Sequence, residues 1–434
     1  MRYPAVTVFL LITAPAVHAQ AGDRARTYEL TGGWWFDGTS FVRKHLYVID
    51  GVFRDARPAM VDSVLDLGDA HIVPPFADAH THLFSNPATV AAESRHYLDR
   101  GIFYALSLTG SARGQHASAG QVNTPTSVDV GYAAAITATL GHPILSAEVT
   151  ANHIPWDSLR AYWPRLLQSH AAEGDVYFLI DSLPDLERQW PRIRATRPDL
   201  IKIFLLYSEE YAERRRSTTT INDRGLDPSL VPAIVARAHR DGLRVAAHVE
   251  TAADFRVAAR AGVDFVAHLP GFEPKPGEAA ERYELTDTDA ALAARNGTAV
   301  VPTAWLARRL AAPQPWAPAG SVGDTAQLAR AQRIQRHSLE RLMRHGVRIA
   351  IGSDLFEDAA SEVGYLDSLD VFDNRSLLVM WSGVTPLLAF PTRKIGTLAT
   401  GYEASFLALA CNPIDTLSCT ARIRLRFKQG VLLP

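Results

Sequence analysis

A few residues in this chain have side chains that could bind a metal and move a proton. His80 and His82 stand in Asp78-Ala79-His80-Thr81-His82, after the apolar run Ile72-Val73-Pro74-Pro75-Phe76-Ala77. The run reads as a buried strand. Side chains alternate faces along a strand, so the two imidazoles point the same way and make half of a metal site. Four further groups lie in or end apolar stretches. Lys202 lies within Leu200-Ile201-Lys202-Ile203-Phe204-Leu205-Leu206, and His248 ends Val245-Ala246-Ala247-His248. His268 ends Phe265-Val266-Ala267-His268, and Asp354 ends Ile349-Ala350-Ile351-Gly352-Ser353-Asp354. Singly, each has an ordinary structural explanation. A strand-end histidine commonly bonds a neighbour, an aspartate after Gly-Ser suits a helix N-cap, and a lysine can reach water along its stem. Jointly they resist that explanation. An ammonium group buried with four imidazoles and a carboxylate is costly unless it is neutralised or paired.

The elements that must position these groups follow a βα rhythm. Apolar runs predict strands over Ile72–Ala79, Phe103–Leu108, Pro143–Val149, Leu200–Leu206, Arg244–His248, Asp264–His268, Ala299–Pro302 and Arg348–Ile351. Helical patterns fall between them at Ala88–Arg100, Leu159–Ala172, Leu183–Thr196, Ser229–Asp241, Ala252–Ala261, Thr286–Asn296 and Ala326–His345. Several close on glycine, as in Ala261-Gly262 and Asn296-Gly297. The alternation predicts an α/β fold with a parallel sheet, and the number of repeats fits a (β/α)8 TIM-type barrel. An open doubly wound sheet is the alternative, but no Gly-x-Gly-x-x-Gly follows the first strand. In a barrel the C-terminal strand ends meet on one face. Groups spread from His80 to Asp354 can then converge.

Both ends of the chain have a different texture. Short strands and turns run from about Tyr28 to Leu67, including the Asp50-Gly51 hairpin turn. After Arg393 come Ile395–Leu398, Gly401–Leu409 and the alternating Ile423–Phe427, with a turn at Gln429-Gly430. The expected organisation is a small β-sandwich domain built from 26–70 and 394–434, beside a barrel over 71–393. Residues 1–19 read as a cleaved secretory signal, with Arg2, the apolar stretch Val6–Ala14 and the cleavage site Val17-His18-Ala19. The mature protein is therefore expected to be periplasmic or secreted, with no membrane association after cleavage. The charge is near balance, with Lys+Arg 44 against Asp+Glu 46, which gives nucleic acid no basic face. Lysine is scarce, so Lys202 in an apolar strand is conspicuous. Cys411 and Cys419 are either a disulfide or a pair of buried thiols. Pro313 to Gly323 reads as a surface loop.

Taken together, these motifs resemble the amidohydrolase superfamily of metal-dependent hydrolases, with a texture similar to its imidazolonepropionase-like and prolidase-like members. The resemblance rests on the split sandwich, the barrel, His-x-His after strand one, Lys on strand four, His ending strands five and six, and Gly-Ser-Asp on strand eight. The sequence departs from the family pattern at Pro75, where Gly is usual, and at Ser405, where Asp is usual. The resemblance implies a centre of two divalent metal ions, zinc by first choice. His80, His82 and Asp354 would hold one ion and His248 and His268 the other, with Lys202 carboxylated by carbon dioxide between them. It implies hydrolysis of a C–N bond in an amide, cyclic amide or dipeptide by a hydroxide shared between the metals, with Asp354 as the catalytic proton carrier. Tyr207, Tyr211, Glu250, His153 and Trp305 are candidate substrate contacts, each with ordinary packing or capping as its alternative. A lactonase or phosphotriesterase, a mononuclear deaminase, and a non-catalytic binding protein with a vestigial site stay open. The expected partner is a small molecule, with homo-oligomerisation unassigned.

Overall fold

A computed structural model describes residues 26–313, 323–354 and 358–434. The expected signal segment and most of the Pro313–Gly323 loop lie outside the described residues. The parallel barrel strands are β1 (Phe76–Thr81), β2 (Ile102–Ser107), β3 (Asp129–Thr137), β4 (Leu200–Phe204), β5 (Arg244–His248), β6 (Phe265–Ala267) and β7 (Ala299–Val301). An eighth segment, 348–353, closes the ring. Val300 N donates to Arg348 O (2.9 Å) and Ala350 N to Val300 O (2.9 Å) on one side. On the other, Ala79 N donates to Ile351 O (2.8 Å). The fold is thus the expected barrel. Its strands are almost wholly buried because helices cover the outside while the interior is filled by side chains.

Local sequence explains most of the helices. Ala252–Ala261 opens on a capping box between Thr251 and Asp254 and closes on Gly262 at φ 77, a left-handed position that glycine takes without a Cβ penalty. Asp287–Asn296 uses the same devices, with Thr286 and Asp289 at its start. Among the described residues no helix is long and apolar enough to cross a membrane.

Two strand expectations are corrected. The run Ile72–Ala79 is not one strand. Pro74 and Pro75 lack amide protons, so the ladder breaks there. His71–Val73 belongs to the terminal sheet, and Phe76–Thr81 starts the barrel. The third barrel strand is Asp129–Thr137, and the expected strand Pro143–Val149 is instead the helix Ile144–Ala151. Ala133-Ala134-Ala135 has helical propensity, but these residues pair in parallel with Leu200, Ile201 and Lys202 of β4, and tertiary pairing overrides local preference.

The terminal segments join as expected. Phe406–Leu409 pairs antiparallel with His71–Val73 and with Ile423–Lys428, so both ends of the chain share one sheet. A second sheet holds Tyr28–Thr31, Leu46–Ile49, Val52–Arg54 and Ser63–Asp66. Leu30, Trp35, Phe53, Ile72, Phe406 and Phe427 form the core between them. Cys411 and Cys419 are disulfide-bonded just before Ile423–Lys428.

Candidate active site

The first and eighth elements meet at unusually short range. Ser353 N and Asp354 N both donate to His80 O, at 3.0 and 2.6 Å. Gly352 permits this approach, because a Cβ there would lie 2.5 Å from Val301 Cγ1 and 2.8 Å from His80 Cβ. Buried Asp78 ties the same two elements. Its carboxylate accepts from His80 N (3.0 Å), Ser353 N (3.1 Å), Ser353 Oγ (2.6 Å) and Tyr97 OH (2.9 Å). On this frame Asp354 adopts φ 68 and turns its carboxylate inward. Its Oδ1 lies 2.9 Å from Nε2 of His80 and 2.9 Å from Nε2 of His82.

The other imidazoles gather on the same spot. The ring centre of His268 lies 4.8 Å from that of His80 and 4.4 Å from that of His248. His80, His268 and Asp354 present ligand atoms within 4.8 Å of one another. Lys202, in β4 opposite Ala246 of β5, is 1% exposed, and its Nζ has no hydrogen-bond partner among the described residues.

Burial sets the charge states. It brings the Lys202 ammonium down to about 7, against the pull of Asp354. Burial, and then Lys202, bring His80 and His248 down to about 3. Burial, and then His248, hold His268 well below the usual imidazole range. These rings are therefore neutral and carry free lone pairs. Burial opposes ionisation of Asp354, but the His80 and His268 rings and hydrogen bonds from His80 and His82 outweigh it and keep the carboxylate ionised.

The donor set suits a cation. His82 Nδ1 faces Thr109 O at 3.3 Å, and a carbonyl can only accept, so Nδ1 bears the proton. Nε2 of the same ring lies 2.9 Å from the Asp354 oxygen. Neutral imidazoles, a carboxylate and a buried lysine with no hydrogen-bond partner among the described residues fit a His/carboxylate metal site of the zinc type.

The amidohydrolase family model matches residues 71–433. The chain belongs to the amidohydrolase family. It is accordingly a hydrolase of the class that acts on carbon–nitrogen bonds of small molecules. Comparison with curated protein sequences finds no match. Solved structures share the fold. The ochratoxinase of A. niger is 18% identical with TM-score 0.70, over 94% of this chain and 96% of that one. A Xaa-Pro dipeptidase with bound methionine is 17% identical with TM-score 0.68, over 94% and 99%. A prolidase complexed with N-methylphosphonate-L-proline is 19% identical with TM-score 0.65, over 94% and 99%.

Around this amidohydrolase centre the weaker candidates separate. Glu250 Oε1 lies 3.0 Å from His248 Nε2, and burial, and then Glu273, push its carboxyl up to about 8. Tyr207, at φ 52, lies between the guanidinium groups of Arg214 and Arg282, 3.9 and 5.0 Å from its ring centre. Buried Asp254 accepts from the backbone amides of both Tyr207 (3.0 Å) and Glu250 (3.1 Å), joining the loops after β4 and β5. The Trp305 indole is buried and donates to Ser353 O at 2.6 Å, beside Asp354. Tyr211 packs under Arg215, 5.6 Å from its ring centre, and His153 is exposed after Ile144–Ala151.

One residue at the centre escapes sequence reasoning. His142 lies against His248, its ring tilted by 30° with ring centres 4.6 Å apart, and burial, and then His248, hold it well below the usual imidazole range. Reading the third strand at Pro143–Val149 puts His142 at the wrong end of that strand. Reading it at Asp129–Thr137 puts His142 just past the C-terminal end, on the catalytic face.

Proposed function

We propose that this chain is an exported binuclear amidohydrolase that cleaves the C–N bond of an amide, a cyclic amide or a dipeptide. The observation that carries the reading is Lys202, a buried amine with no hydrogen-bond partner among the described residues, set among neutral imidazoles and a carboxylate. A nearly neutral amine can attack carbon dioxide through its nitrogen lone pair and lose a proton. The product is a carboxylate, and the cost of burying an ammonium disappears. His80, His82 and Asp354 would then hold one ion and His248 and His268 the other, with carboxylated Lys202 between. Bound divalent ions would polarise the scissile carbonyl and acidify water.

The chain's own groups do the rest. Asp354, kept ionised at the convergence of His80 and His82, accepts the proton of the attacking water and returns it to the departing nitrogen. The neutral ring of His142, beside His248, offers a hydrogen-bonding edge at the same mouth. Lys202 weighs for amide or peptide substrates, and the dipeptidase and prolidase among similar folds lean the same way. Glu250 beside His248 is the feature favouring a mononuclear deaminase, which needs no strand-four lysine. Export is supported by the apolar amino-terminal stretch and by the Cys411–Cys419 disulfide, which suits an oxidising compartment.

The test is elemental analysis of purified mature protein, prepared with zinc and bicarbonate, followed by an amide and dipeptide panel. Two equivalents of metal per chain and turnover of panel members are expected. One equivalent with deamination would favour the deaminase. None would overturn the binuclear reading.

A further inference from the structure

β7 supplies no proposed metal ligand, yet the loop after it reaches the ligands on both neighbouring elements. Its residues are Pro302, Thr303, Ala304 and Trp305. Thr303 is fully buried and sits at φ 44. A β-branched residue there is a backbone outlier, which persists only where its surroundings over-determine it. The surroundings do so here. Buried Glu362 accepts from Ala304 N (2.9 Å) and Trp305 N (2.8 Å), and Gln335 Nε2 donates to Ala304 O (3.0 Å). The Trp305 indole is tied to Ser353 O, next to Asp354.

Held this way, Thr303 Oγ1 lies 2.7 Å from His268 Nδ1 and 2.8 Å from Pro302 O. A hydroxyl has one proton to give. Pro302 O can only accept; it already takes Leu269 N at 2.8 Å, and a carbonyl has a second lone pair for the Thr303 proton. The hydroxyl oxygen then faces His268 as an acceptor, and Nδ1 must carry the ring proton. Nε2 is then the ring nitrogen left to ligate. His268 itself is at φ 84, so its ring direction also depends on this partner.

We infer that Thr303 is a positioning residue that selects the Nε2-ligating tautomer of His268 and fixes its ring, making the loop after β7 the orienting shell for a ligand it does not itself supply. The inference rests on the binuclear reading above. Orienting partners of this kind are worth about 10–100-fold in metal affinity.

The experiment compares wild type, Thr303→Val and Thr303→Ser. Valine keeps the branched shape and removes the hydroxyl, and serine keeps the hydroxyl. Zinc affinity is read by competition with a chromophoric chelator, the site geometry by the visible spectrum of the cobalt(II)-loaded protein, and the apo fold by its melting temperature. Thr303→Val should lose about 10–100-fold in affinity for one of two zinc ions and shift the cobalt bands, with an apo melting temperature near wild type. Thr303→Ser should restore both. Two zinc ions bound by Thr303→Val with wild-type affinity would overturn this inference alone, as would equal losses in Val and Ser. A wild type that binds no zinc would overturn the binuclear reading and this inference with it.

Discussion

Asp354 combines two properties that are hard to combine, burial and a negative charge. Its ionisation depends on the imidazoles it faces, and the same carboxylate is the proton acceptor proposed for the reaction. Asn at this position keeps an oxygen of the same reach and removes the basicity. Asp354→Asn is therefore expected to lower kcat by about 10²–10⁴-fold, with bound metal still detectable by elemental analysis and KM little changed. An unchanged kcat would remove the proton-carrier role. Lys202 was legible at this scale from composition, since a lysine inside an apolar strand of a lysine-poor chain has few ordinary explanations. Its lack of a hydrogen-bond partner among the described residues was not, because that depends on what elements remote in the chain leave around Nζ.

Among the elements, the contact between β1 and the eighth segment decides whether the ligands meet. Gly352 lies where the two backbones come closest, with Val301 of β7 against it. An added methyl must push apart groups at 2.5 and 2.8 Å, and overpacking of this kind costs about 1–3 kcal/mol. The displacement falls on His80 and Asp354 together. Gly352→Ala should thus weaken metal binding and lower kcat more than its modest loss of melting temperature would suggest. A variant with wild-type metal affinity would show that the closure is looser than the contacts indicate. The βα rhythm and the helix caps could be read from periodicity. The third strand could not, since an alanine-rich stretch becomes a strand only through its neighbours on both sides.

At the scale of the whole molecule, the terminal sandwich is fastened to the end of the barrel away from the site. Asp129, the first residue of β3, accepts from Lys428 Nζ (2.8 Å), Arg393 Nη1 (2.7 Å) and Gln429 Nε2 (3.1 Å). Lys428 is fully buried there. Removing the carboxylate strands a buried ammonium, and breaking such a pair costs about 3–5 kcal/mol. Asp129→Ala should lower unfolding stability by about that amount in denaturant titrations, while kcat of the folded fraction stays near wild type. A fall in kcat without a loss of stability would mean that the junction communicates with the active site.

The sequence by itself determined the candidate ligand types, their order and their placement in or at the ends of strands, because period-two alternation and βα spacing are local properties. It also determined that the two ends of the chain are β. Only the tertiary structure decided that Pro74 and Pro75 divide one apolar run between two domains, that His142 faces the centre, and that Thr303 reaches His268. These outcomes turn on distances between residues remote in the chain, set by strand register and ring closure. No local pattern encodes them.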